Sequence, residues 1–417
     1  MTGSVAAVSA ERAQHAPSSR IVSIDIFRGL TMVVMIFVNK LAEVRGLPRW
    51  TYHMPANVDA MTYVDMVYPF FLFIVGLSLP LAIRQRLKKN PSMPALWLHV
   101  ILRSFSLVVL GLILANAEKG DPVRMGMNAG VWALLALTGG VLLWNVYPGL
   151  DRRSPLVRSL RIIGLLLIVT MFAIFRRTIP AGHTLQAGHA AWVDFSYPEI
   201  LGLIGLTYFA AAILYIPTRR WLWAPLAWFA ALVTFNSASA AKWLAFPTRW
   251  PLYMWPFGNG AMASIIMGGV VVSTIFLGAH SWQSYRQKTW LAVAFGAASL
   301  AAGWFLTPLG ISKIRATPTW CLYSVGAAAL AFALFHYICD VKKKIGWAAF
   351  AHPAGANTLM TYLLPDYYEF ILAATSFWYF DSHFNYGWPG VVKSIVFTAF
   401  ILAVSSLLTR MKVRMQL

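Results

Sequence analysis

The chain has 417 residues, 59% of them hydrophobic and 12% charged, with a mean hydropathy of +0.64 and a formal net charge of +20. Soluble domains carry about 25% charged residues, so this composition excludes a soluble globular protein and describes a polytopic membrane one. The positive charge does not indicate a nucleic-acid partner, because the basic residues sit in short loops between apolar runs, where membrane orientation signals belong.

Residues 1–22 are small, polar and weakly basic, and lack the apolar core of a signal peptide. They read as a cytoplasmic tail ahead of a single membrane domain, 23–417. Twelve runs are apolar enough to span: 24–43, 66–84, 97–116, 129–147, 159–175, 199–216, 221–235, 260–279, 289–307, 321–339, 355–374 and 391–409. The expected fold is therefore all-α, with about twelve transmembrane helices. The seventh run is short, which leaves eleven as the alternative count. The eleventh carries Asn357, Pro365, Asp366 and Glu369, so a broken or re-entrant helix is expected there.

Loop charge gives the orientation. With the N-terminus cytoplasmic, the inside segments hold twenty Lys and Arg and the outside loops eleven. An even span count then places both termini inside. The outward loops are rich in Trp, Tyr, His, Asp and Pro. Such a surface serves either as an interfacial aromatic belt or as a sugar-binding face. No Asn-x-Ser/Thr acceptor occurs, which favours a bacterial source and hence the inner membrane.

The polar residues within and beside the spans are costly in lipid, so each needs a partner or a task. Asp25 and Arg28 share a helix face three residues apart, as a structural ion pair or as a cytoplasmic anion site. Asn39 lies eleven residues beyond Arg28, about 16 Å along the same face; it is either a helix-end contact or part of a polar path. His53 follows in a loop. A solvated imidazole is the ordinary reading there, and a general base at neutral pH is the functional one. Asp65 opens the second span, favourably placed for the helix dipole and equally able to orient His53. Arg103 sits two turns into the third span, as a snorkelling arginine or a phosphate ligand. Cys321 and Cys339 share one span about 27 Å apart, too far for a disulfide. The chain has no Cys/His metal spacing, P-loop, G-x-S-x-G or H-E-x-x-H, so no metal is expected and nucleotide-driven pumping is unsupported.

These residues fall into a pattern. R-x-x-S-x-D-x-x-R-G (Arg20, Ser23, Asp25, Arg28, Gly29) is followed by an apolar run ending in Val38 and Asn39, then by His53. T-x-x-D-x-x-x-P-F-F-L-F-x-x-G (Thr62, Asp65, Pro69, Phe70, Phe71, Leu72, Phe73, Gly76) comes next. The block resembles the heparan-α-glucosaminide N-acetyltransferase family, especially its smaller bacterial forms without the long luminal domain. Weaker likeness continues at Arg103–Gly111, 199–209 and 352–362.

The resemblance implies an acetyl-CoA-dependent N-acetyltransferase. Acetyl-CoA would bind from the cytoplasm, with Arg28, Arg103 and Asp25 at its phosphate end. The acetyl group would pass to an amine of glucosamine or another glycan on the far side. His53 and Asn39 match the family's catalytic positions, and Asp65 would support His53. The run from His53 to Ala60 departs from the family pattern and is where acceptor choice is expected to differ. The expected surroundings are the lipid bilayer and a glycan acceptor, with a homodimer left open. Two other readings stand beside this one: a transporter of sugars or lipid-linked intermediates, and an O-acyltransferase of a related membrane class.

Overall fold

The computed structural model describes residues 21–151, 153–179, 188–244, 257–277 and 284–417. Most of the expected N-terminal tail and Arg12, Arg20, Arg152 and Arg249 of the charge count lie outside them. The regular structure of the described residues is helical, apart from one antiparallel pairing of Arg177–Thr178 with Ala190–Ala191 and the isolated bridges Arg45–Tyr386 and Asn145–Met415. A helix overlies each of the twelve expected spans. In chain order they are α1 Val22–Leu41, α2 Val64–Lys89, α3 Met93–Asn116, α4 Ala129–Trp144, α5 Pro155–Ile174 and α6 Glu199–Thr218. There follow α7 Ala224–Ala240, α8 Ala261–Leu277, α9 Tyr285–Phe305, α10 Pro318–Phe335, α11 Thr358–Thr375 and α12 Gly387–Arg410.

Seven of these segments are long and apolar enough to cross a membrane: α1, α2, α3, α5, α6, α10 with its extension to Val341, and α12. α4 and α8 are shorter apolar helices. The outer faces of α3, α5 and α12 expose Leu98, Phe105, Ile162, Leu166, Ile395 and Phe400. Apolar faces of that extent are unfavourable in water and neutral in hydrocarbon. The chain is an integral membrane protein.

Small residues set the helix crossings. Without a hydrophobic drive between helices in lipid, close backbone packing must hold them. α2 crosses α8 at Gly76 and Gly269, where a Cβ on Gly76 would meet the Ile266 carbonyl. α3 crosses α6 at Gly111 and Gly202, where a Cβ on Gly111 would meet the Pro198 carbonyl. That second crossing fixes the start of α6. α2 continues through Pro69 and Pro80, and Ser273 of α8 donates to the Leu77 carbonyl one turn before Pro80 (2.9 Å). Partners of this kind let a membrane helix keep its prolines.

α1 lies against α2, α11, α12 and a short helix, His352–Ala356. Its first backbone N–H groups are met from far along the chain. The Asp340 carboxylate accepts from Val22 (3.0 Å) and Ser23 (3.1 Å) and also contacts His336 Nδ1 (2.9 Å). An anion at a helix N-terminus is favoured by the helix dipole. The expected break in the eleventh span is found at Asn357, between His352–Ala356 and α11, and not at Pro365, through which α11 runs. The reason is local. Asn357 is buried and donates to Thr409 Oγ1 and the Val413 carbonyl, while its oxygen accepts from Met415 N–H. It pins the C-terminal segment instead of continuing the helix.

Candidate functional site

The loop between α1 and α2 is shaped by its own hydrogen bonds. Thr51 Oγ1 donates to the Pro48 carbonyl (2.7 Å), Tyr52 Oη to the Val44 carbonyl, and Thr62 Oγ1 to the Tyr52 carbonyl (2.9 Å). These ties hold His53 at the mouth of α2. The Asp65 carboxylate reaches back to the Thr62 N–H (3.0 Å), as the acid of a capping box does, and also takes the Met54 N–H (3.3 Å). Its other oxygen lies 2.7 Å from His53 Nδ1. Asp65 is 1% exposed, whereas the His53 side chain is 38% exposed. A buried carboxylate has only acceptors to offer, so Nδ1 carries a proton, and in the neutral ring the other nitrogen, Nε2, keeps its lone pair. This is the orientation that a histidine base requires.

A second loop, between α9 and α10, closes over the first. Arg315 pairs with Asp59, whose Oδ1 also accepts from Ile311 N–H (3.2 Å). The Arg315 hydrogen bond holds the Asp59 carboxyl below its usual range. Trp320 Nε1, at the start of α10, donates to the Asp65 carbonyl (3.0 Å). The loop thereby brings Lys313 Nζ to 3.5 Å from His53 Nδ1. Burial lowers the Lys313 pKa against the opposing pull of Asp65 and Glu199. Glu199 begins α6 with φ +57° and accepts from Tyr362 Oη (3.0 Å) and Leu201 N–H (3.0 Å). A non-glycine residue in that left-handed conformation is strained unless its surroundings impose it. Here the Gly111–Gly202 crossing and the Tyr362 bond do so.

About 20 Å away along α2, thirteen residues from Asp65 to Ser78, lies a cavity of about 520 Å³. It is lined by Arg28, Ser78, Gln85, Arg103, Tyr208 and Tyr362 among others. Arg28 donates to Ser78 Oγ (2.8 Å) and pairs with Asp25 (3.3 Å). Arg103 stacks over the Tyr208 ring at 4.8 Å, and its buried Nε has no hydrogen-bond partner among the described residues. Two guanidinium groups, one with an unmet donor, suit a phosphate-bearing ligand. Tyr362 joins this cavity to Glu199, and the charge of Glu199 is felt at Lys313. A different cavity of about 420 Å³ between α2, α6, α7 and α8 is lined by Arg84, Arg219 and Arg220.

The structure thus brings His53 to Asp65 and Arg28 to Arg103. Asp25 holds Arg28. Asn39 stands apart: it is exposed, and among the described residues no hydrogen bond joins it to His53 or Asp65. Its neighbour Lys40 is the buried one, 2.7 Å from Glu43, 2.7 Å from Glu369 and 3.2 Å from Asp381. Sequence reasoning missed Lys313, Glu199 and Tyr362 as site residues. In the sequence Lys313 is only one of the eleven basic residues of the loops expected to face outward.

Comparison with known proteins adds two findings. A family model described as "Domain of unknown function (DUF5009)" matches residues 20–257, more than half the chain. The chain is also similar to heparan-alpha-glucosaminide N-acetyltransferase from mouse, 32% identical over 25% of this chain and 15% of the relative. The human protein of the same name is 34% identical over 23% of this chain and 14% of the relative. Each match therefore spans about a seventh of the relative's length.

Proposed function

This chain belongs to the family of the domain of unknown function DUF5009, and we propose that it is a transmembrane acetyltransferase. It carries an acetyl group from acetyl-CoA, bound from the cytoplasm, to an amine of a glucosamine-type sugar or glycan on the far side of a bacterial inner membrane. The observation that carries this reading is the His53–Asp65 pair at 2.7 Å, with Nε2 left as a base. The names of the two relatives support the reaction class. The arginine-lined cavity supports a CoA donor, because CoA is long and phosphate-bearing. Its phosphates would lie against Arg28 and Arg103, with Asp25 holding Arg28, and its thioester would reach along α1 and α2 toward His53.

The chemistry is that of an amine attacking a thioester. His53 Nε2 accepts the amine proton, so that the nitrogen lone pair is free to attack. Asp65 stabilises the imidazolium that forms. Asn39 contributes an amide at the outer end of α1, toward the acceptor. With this polarity twelve spans cross the membrane and both termini lie in the cytoplasm.

The test is transfer of labelled acetyl from acetyl-CoA to glucosamine by the purified protein. His53→Ala should abolish it. Arg28→Gln and Arg103→Gln should raise the KM for acetyl-CoA about tenfold or more each and leave that for the acceptor unchanged, while Arg84→Gln changes neither. Full transfer by His53→Ala overturns the mechanism. Label recovered on an acceptor hydroxyl moves the reading to O-acyl transfer, and acceptor uptake into proteoliposomes without any acyl donor moves it to a transporter.

A further inference from the structure

Lys313 has a place that the acid–base pair alone does not explain. Its Nζ lies 3.5 Å from His53 Nδ1, but that nitrogen already donates to Asp65 and cannot accept from an ammonium. The approach is therefore not a hydrogen bond. Among the described residues, His53 Nδ1 is the one polar atom at hydrogen-bond distance from the ammonium. His53 of the first loop lies beside it, and the charges of Asp65 on α2 and Glu199 on α6 act on it. A partly desolvated cation is costly to hold, and the fold commits several contacts to holding it. The Arg315–Asp59 pair, the Ile311–Asp59 bond and the Trp320–Asp65 bond all fix the loop that carries it. Asp59 itself lies in the run after His53 that departs from the family pattern.

We infer that Lys313 is a catalytic residue whose ammonium receives the negative charge that develops on the thioester oxygen beside His53. This rests on the acyltransferase reading. The amine nitrogen bonds to the acetyl carbon, and the C=O electron pair moves onto oxygen, where the Lys313 ammonium stabilises it. When that pair returns to re-form C=O, the C–S bond breaks and the sulfur leaves with the C–S bonding pair. The proton taken from the amine by His53 Nε2 passes to the sulfur, so that amide and free CoA thiol are the products. A fixed donor aimed at charge that appears only in the transition state accelerates the chemical step rather than binding.

The test uses binding, so that it does not depend on turnover. Carboxymethyl-CoA carries a carboxylate one carbon beyond the carbon that bears the thioester oxygen, and CoA lacks that charge. The detergent-solubilised protein should bind carboxymethyl-CoA about ten- to a hundredfold more tightly than Lys313→Met does, while both bind CoA equally. Equal CoA affinity also shows that the variant is folded. Lys313→Arg should keep the preference. In the parent protein the preference should fade as pH rises, below the pH of about 10.4 at which a free lysine loses its proton. Lys313→Arg should remove that fade. Binding of CoA with no difference between parent and Lys313→Met for the charged analogue overturns this inference and leaves the acyltransferase reading standing. No binding of CoA by the parent protein overturns both.

Discussion

At the scale of single residues, carboxylates do opposite work around a lysine and around a histidine. Lys40 is buried among Glu43, Glu369 and Asp381, with Lys393 sharing Asp381 (2.6 Å). Its charge is matched and its ammonium is used up. Asp65 leaves His53 half open, and among the described residues no hydrogen bond is made to Nε2. Asp65→Asn tests this directly. The asparagine NH₂ would donate to Nδ1 and shift the imidazole proton to Nε2, the atom that must act as base. Acetyl transfer should fall about 10²–10⁴-fold in kcat with the KM for acetyl-CoA unmoved. A steady-state comparison that finds kcat within threefold of the parent would show that Asp65 only caps α2. The His53–Asp65 pairing could be read from the sequence because both residues flank one short loop. Lys313 could not, because its contact with His53 spans 260 residues and depends on the Arg315–Asp59 pair. The sequence leaves Asn39 as either a helix-end contact or part of a polar path, and the resemblance matches it to a catalytic position. The distant acids Glu369 and Asp381 bury Lys40 instead, one residue on, and Asn39 is left exposed.

At the scale of elements, the site depends on how closely backbones approach. α2 carries both Asp65 and Ser78, the partners of His53 and Arg28, so its crossing with α8 sets the distance between the two ends of the path. At Gly76 an added Cβ would meet the Ile266 carbonyl, and the Cα of Gly269 would lie 3.0 Å from it. Backbone atoms cannot yield as a flexible side chain does. Gly76→Ala should therefore destabilise the protein by about 1–3 kcal/mol, read as a lower thermal-unfolding midpoint of the solubilised protein. Gly126→Ala is the contrast for packing, since nothing lies within 4 Å of its Cβ position. Any loss there reflects the left-handed backbone at φ +66° alone. An unchanged midpoint for Gly76→Ala would mean that the α2–α8 contact does not limit stability. Helix existence was legible throughout, because a long apolar run is a signal within one stretch of chain. The break at Asn357 was placed only to within the eleventh run, because its cause is the C-terminal segment, more than fifty residues away.

At the scale of the whole molecule, the orientation rests on α7. It is seventeen residues long, about 26 Å of helix, against a hydrocarbon core of about 30 Å. If α7 did not cross, every later loop would change sides, and Lys342, Lys343 and Lys344 would lie outside with Lys313 inside. Lys313 could not then meet His53, yet the two are 3.5 Å apart. The same contact requires that the loop after α1 and the loop after α9 share a face. An odd–odd pair of loops satisfies this only if all the intervening helices cross, or if an even number of them fail to. Single cysteines separate these cases, because the native Cys321 and Cys339 are both buried. Asn57→Cys and Trp243→Cys, on loops assigned outward, should react with a membrane-impermeant maleimide on intact cells. Lys88→Cys and Arg220→Cys should react only after permeabilisation. Labelling of Arg220→Cys and Trp243→Cys from the same side would show that α7 does not span, and a second helix would then have to turn back before α10 to keep Lys313 beside His53.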